Sequence, residues 1–126
     1  MNQLAKASAD VVDFIVVYIA EAHAADRWPL GRVTNIKDHR NAEDRLQAAK
    51  LLKGEYGCEI PIYVDSMNNN FDDSYAVWPE RFFIVHNGRM ALIGYPTVKE
   101  RGYDRSVIAE WIQQTRTIQN DSFSQL

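Results

Sequence analysis

The order of residues predicts an α/β fold, a mixed sheet with helices on both faces. Three observations carry it. Residues 14–20 are an unbroken apolar or aromatic run rich in β-branched side chains, which suits a strand buried on both faces. A helical pattern beginning at Asn41 and a short apolar run at Ile62–Val64 follow, giving strand, helix, strand. Asn87-Gly88 then separates two apolar runs, the strongest short-range hairpin signal, and a last helical pattern closes the chain.

Taken in order, residues 2–9 hold good helix formers but too few for a helix stable alone, so they read as the last turns of one. The strand at 13–20 follows, and Glu21 and His23 come directly after it. Open α/β sheets bind ligands just beyond the carboxyl ends of their strands. The two side chains are therefore either a proton-active pair at that edge or ordinary solvated loop residues. Residues 24–38 contain Pro29 and Gly31 with little periodicity, and read as loop.

Asn41 can cap the next helix, and Glu43 and Asp44 in its first turn suit the helix dipole. Ala42, Leu46, Ala49 and Leu52 recur on one face, and Gly54 or Gly57 ends it. After Pro61, the strand Ile62–Val64 runs into Asp65. Residues 66–74 are rich in Asn and Asp, which favours turns. A strand at 82–85, the Asn87-Gly88 turn and a strand at 89–93 form the hairpin. The loop 94–102 carries Lys99 and Arg101. The last helix starts near Asp104 and buries Val107, Ile108, Trp111, Ile112 and Thr115. The division expected is one domain over 1–119 and a polar, fraying tail over 120–126.

The bulk numbers bound the function. A chain of 126 residues is long enough for a real core. Its net charge of −3 argues against a nucleic-acid partner. No run approaches the ~20 apolar residues of a membrane helix, so no membrane segment is expected. No apolar stretch precedes the early charges, so no signal peptide is expected either. Cys58 is the only cysteine, which excludes an intrachain disulfide and fits a reducing, cytoplasmic location.

Several short motifs, in order, resemble one family. Residues 16–23, Val-Val-Tyr-Ile-Ala-Glu-Ala-His, with Asp26 and Trp28 after them, look like the segment that follows the active site in iodothyronine deiodinases. Asp38-His39-Arg40, then Glu43-Asp44-Arg45 and Ala48-Ala49, are similar to that family's second block. Residues 64–69, Tyr75 and the run from Pro79-Glu80-Arg81 to Val85 are similar to its third. The match runs from about Val11 to Ile112.

The resemblance implies a thioredoxin-like mixed sheet with flanking helices, in a redox enzyme that removes iodine from iodothyronines or related halophenols. It implies a selenocysteine or cysteine nucleophile, an external thiol reductant, and no other cofactor and no metal. Tyr18, Glu21, His23, His39 and Glu80 resemble family residues for substrate binding and proton delivery, and Lys99 or Arg101 would stand in for a basic substrate contact. From the residues themselves other readings stay open. Tyr18 also suits a core, His39 a local bond at a helix start, and Glu80 an ion pair with Arg81 or Arg89. Trp78-Pro79 sits where thioredoxin-like domains often place a cis proline, and cis and trans both stay open.

The same resemblance places the fold's first strand and its nucleophile upstream of this chain, since Cys58 is not at the nucleophile position. An upstream UGA codon read as a stop would account for that. The expectation is a deiodinase-like domain without turnover by itself. The alternatives are a non-catalytic binding module or a fragment of a peroxiredoxin-like peroxidase. A second copy of the chain is a further expected partner, as one way to cover open strand edges.

The chemistry fits the residue types. Reductive dehalogenation of a phenol needs a soft nucleophile for the halogen, a proton for the ring carbon and polar contacts for the phenol. A thiolate or selenolate suits the first task. Histidine suits the second because its unperturbed pKa lies near ~6.5. Glu21, two residues from His23, lies on the same side of an extended segment and can orient it.

Overall fold

The computed structural model describes residues 1–30, 35–95 and 104–124. It divides into two compact units, Ile15–Glu80 and a second built from Met1–Phe14 with Arg81–Leu126. Helices α1 (Asn2–Ala7), α2 (Ala42–Gly54), α3 (Asn70–Tyr75) and α4 (Ser106–Ser124) and strands β1 (Val16–Tyr18), β2 (Ile62–Val64), β3 (Phe83–His86) and β4 (Arg89–Ile93) follow in the order α1, β1, α2, β2, α3, β3, β4, α4. The fold is a mixed α/β arrangement with small sheets and flanking helices.

In the unit Ile15–Glu80, β1 and β2 pair in parallel, with Val16 opposite Ile62 and Tyr18 opposite Val64. The apolar run at 14–20 is thus shorter as a strand than its sequence suggests. Its residues are half-buried rather than fully buried, because β1 has one hydrogen-bonded neighbour in its sheet. Ile15 stays 61% exposed, and Phe14 serves the other unit's core.

The crossover helix α2 packs on β2. Its start follows the expected chemistry. Asn41 Oδ1 accepts the Asp44 N–H at 2.9 Å, and Asp44 returns a carboxylate oxygen to the Arg40 N–H, a reciprocal cap that satisfies two donors. Its buried face differs from the expected stripe. Leu46 is exposed, whereas Arg45, Ala48 and Ala49 are buried. The two alanines allow a close approach, and the Arg45 guanidinium finds hydrogen-bond acceptors inside.

Residues 66–74, read as turns, instead contain α3. The reason lies at the end of β2. The Asp65 carboxylate accepts N–H bonds from Ser66, Phe71 and Asp72, at 2.8, 2.9 and 3.1 Å. It satisfies the first-turn donors that a helix leaves open. The Trp78–Pro79 bond that follows is cis.

In the second unit, β3 and β4 form the expected antiparallel hairpin. Asn87 and Gly88 both take positive φ, 51° and 71°, as a two-residue turn of this hand requires. The core is Ile84, Ile108 and Ile112, with Leu4, Val12, Phe14 and Trp111 packed around them. The predicted stripe of α4 is the one that is buried. Arg116 on α4 donates to the Ala7 carbonyl at 2.7 Å and to Asp10 at 2.6 Å, fixing the exit of α1. Residues 120–124, expected as a fraying tail, continue α4.

Candidate functional site

The carboxyl end of β1 opens onto a cavity of about 390 Å³. Tyr18, Glu21, His23 and Glu80 line it together, with Leu30, Leu52 and Pro79 among its apolar walls. The volume lies in the range of small-molecule pockets, ~300–1,000 Å³, and a mostly apolar wall with a few converging polar groups is their usual make-up. Three sequence-singled residues follow one another from the strand end, and the fourth arrives from the segment after α3.

Tyr18 donates its phenolic hydrogen to a Glu21 carboxylate oxygen. Burial pushes the Glu21 carboxyl above its ordinary value, and nearby His23 pulls weakly the other way. The His23 ring is held from outside the cavity. Its Nδ1 lies 3.2 Å from the Trp28 carbonyl oxygen. A carbonyl only accepts, so Nδ1 carries the hydrogen and Nε2 remains for a ligand. The Trp28 ring tilts against the imidazole with centroids 4.9 Å apart.

The loop bearing Trp28 is tied at its base. The Ala25 N–H donates to the Ile36 carbonyl at 2.8 Å, the Asp38 N–H donates to the Asp26 carboxylate at 2.8 Å, and Arg27 pairs with Asp38 at 3.1 Å. The Asp38 N–H holds the Asp26 carboxyl below its ordinary value. Bonds between residues 25–27 and 36–38 thus tie the two described ends of this loop together beside His23.

His39 does not line this cavity. It is buried, 8% exposed, and lines a neighbouring cleft at the start of α2. It nevertheless meets the site through Tyr18, with ring centroids 6.0 Å apart. Burial first, and then the Arg45 guanidinium, push its pKa below the ordinary value, against the opposite pull of Asp38 and Asp44. Lys99 and Arg101 lie outside the described residues. Arg45 is the residue that sequence reasoning missed. A charged side chain between Leu46 and Asp44 reads as a solvated face, and three of its four acceptors lie 20 or more residues away.

Cys58 stands apart from these groups. It precedes β2, at the amino end of the parallel pair, whereas the cavity opens past the carboxyl end of β1. Its half-buried thiol points to the Ile60 carbonyl at 3.7 Å. Among the described residues, no helix is long and apolar enough to cross a membrane.

Comparison with known proteins gives a family match. A family profile described as "Iodothyronine deiodinase" matches residues 1–116. A type I iodothyronine deiodinase of Xenopus laevis is 41% identical over 93 residues, covering 74% of this chain and 36% of that protein. A thyroxine 5-deiodinase of Sparus aurata is 38% identical over 112 residues, covering 86% and 40%. A thyroxine 5-deiodinase of Gallus gallus is 32% identical over 117 residues, covering 92% and 44%. The chain therefore spans about two fifths of the length of these curated relatives.

Proposed function

Because this chain belongs to the iodothyronine deiodinase family, we propose that its cavity receives the phenol ring of an iodothyronine-like or halophenol substrate for reductive dehalogenation. The carrying observation is the convergence of Tyr18, Glu21, His23 and Glu80 on one mostly apolar cavity at the end of β1. His23 offers Nε2 to the phenolic oxygen or, when protonated, a proton to the ring carbon. Glu21 and Tyr18 form a hydrogen-bonded pair beside it whose carboxyl is biased toward holding a proton. His39 supports Tyr18 from behind.

The overall chemistry balances with two equivalents of an external thiol. A thiolate or selenolate attacks the iodine and forms a sulfur– or selenium–iodine bond as the carbon–iodine bond breaks. The ring carbon takes a proton. One thiol displaces iodide and a second regenerates the nucleophile, leaving a disulfide. The position of Cys58 favours a nucleophile other than this thiol, so the 126 residues by themselves supply the binding and proton-handling part of the site.

The test has two parts. Titration of the chain with 2-iodophenol, followed by NMR, is expected to shift the side-chain signals of His23 and Tyr18. Undisturbed signals at millimolar ligand would end the reading. Incubated with dithiothreitol and an iodophenol, the same chain is expected to release no iodide. Iodide release that is lost in Cys58→Ala would overturn the separation of nucleophile and pocket.

A further inference from the structure

Arg45 is 2% exposed, and its guanidinium makes a four-way junction. Nε donates to His39 Nδ1 at 3.3 Å. One terminal nitrogen donates to the carbonyls of Asp65 and Ser66, at 3.3 and 2.6 Å. The other donates to Asn69 Oδ1 at 3.0 Å. The helix α2 thereby grips both the imidazole at its own start and the loop after β2.

The bond to His39 has a chemical consequence. A guanidinium does not lose its proton in a protein and has no acceptor. The imidazole nitrogen facing it must therefore be bare, which rules out an imidazolium while the bond stands. The ring's one hydrogen then sits on Nε2. That atom is buried with no hydrogen-bond partner among the described residues, in a ring that meets Tyr18 at 6.0 Å. Buried donors are nearly always paired, and an orphan calls for an explanation.

We propose that Arg45 is a positioning residue that locks His39 in the neutral tautomer bearing its hydrogen on Nε2. His39 is then held as a fixed neutral ring behind Tyr18 rather than acting as a proton shuttle. The two histidines take opposite tautomers. His23 is protonated at Nδ1 by its bond to Trp28, and His39 is bare there through Arg45. Every charged group the structure sets around His39 agrees with a fixed neutral ring or only partly opposes it. Burial and Arg45 disfavour the cation, while Asp38 and Asp44 favour it less strongly. What the fixed ring does for an iodophenol rests on the proposed function, but the lock is read without any ligand.

Long-range proton–nitrogen NMR of the 126-residue chain at about pH 7.5 decides it. The expected spectrum has His39 with a bare Nδ1 and a protonated Nε2, the reverse of His23, and a nitrogen–nitrogen coupling between Arg45 Nε and His39 Nδ1. A protonated Nδ1, or two averaged nitrogen signals, would overturn the lock. A bare Nδ1 without the coupling would overturn the part given to Arg45. Arg45→Lys, which lacks the planar fork, is expected to collapse the two His39 signals toward an average, and an unchanged pattern in the folded variant would count against the proposal. Should that variant not fold, the coupling in the native chain still decides. Addition of 2-iodophenol to the native sample then reads the pocket separately: unmoved His23 and Tyr18 signals defeat the phenol site and leave the tautomer result standing.

Discussion

Tyr18 donates its hydroxyl hydrogen to the carboxylate of Glu21, three residues further along and past the end of β1. Burial raises the Glu21 pKa above its ordinary value. Between that ordinary value and the raised one, the folded chain holds a proton that the unfolded chain has lost. Stability therefore falls as pH rises through this window. Glu21→Gln keeps an acceptor for Tyr18 and removes the ionisation. It is expected to raise the melting temperature at pH 7 and to leave it unchanged near pH 3.5. Equal effects at both pH values in thermal melts would show that burial of the charge is not what matters.

His39 has the opposite sign. Its pKa is lowered from 6.5, so below 6.5 the unfolded chain takes up the proton first. Stability contributed by the neutral ring is complete above 6.5 and is lost as pH falls through the folded value. His39→Asn places an oxygen where Nδ1 accepts from Arg45 and does not titrate. The variant is expected to lose part of the acid-side decline between pH 7.5 and 5 in denaturant unfolding. A decline of unchanged steepness would place its source elsewhere.

Much of this was legible in the sequence, and what was not has physical causes. The cap at Asn41, the Asn87-Gly88 turn and the buried stripe of α4 are local devices, written in adjacent residues. Tyr18, Glu21 and His23 follow from the same logic, because a short apolar run delivers the residues after it to a strand end. The helix α3 was hidden because its capping carboxylate, Asp65, stands five residues before it rather than at the cap position. Arg45 was hidden because a charge becomes buriable only through partners distant in sequence. His39 joins the site through the back of Tyr18 and not through the cavity, a distinction that spacing does not encode.

The cap by Asp65 makes its own prediction. Its carboxylate takes the Phe71 and Asp72 N–H groups at the start of α3, and the N–H of the adjacent Ser66 as well. Asp65→Ala leaves them without that acceptor and is expected to cost roughly 1–2 kcal/mol, the upper range for a lost cap. Asp65→Asn keeps one acceptor oxygen and is expected to cost less. Urea midpoints with unchanged slopes would measure both. An alanine variant as stable as the parent would mean that α3 does not depend on this carboxylate.

Gly94 is buried, and its N–H donates to the Phe82 carbonyl at 2.8 Å. A methyl group built on it would overlap the Phe82 ring. Gly94→Ala forces the ring or the strand end to move, and overpacking of this kind costs about 1–3 kcal/mol. Phe82→Leu in the same chain should recover part of that loss, since it clears the space the methyl needs. If the double variant is no more stable than Gly94→Ala alone, the ring is not the obstacle.

His23 offers a way to ask which of its nitrogens meets a substrate. Nδ1 is committed to the Trp28 carbonyl, so the atom left to face a ligand in the cavity is Nε2. Asparagine reproduces the position of Nδ1 and loses Nε2, whereas glutamine reproduces the reach of Nε2 and gives up the bond to Trp28. If the phenolic oxygen is held by Nε2, His23→Asn should weaken 2-iodophenol binding most. A hydrogen bond between neutral groups contributes roughly 0.5–1.5 kcal/mol, so the loss should be about 2- to 10-fold in affinity. His23→Gln should keep a good part of it despite a looser Trp28. Binding by titration calorimetry at pH 7 reads the difference, and a larger loss in the glutamine variant would assign the ligand contact to Nδ1 and reverse the reading of this ring.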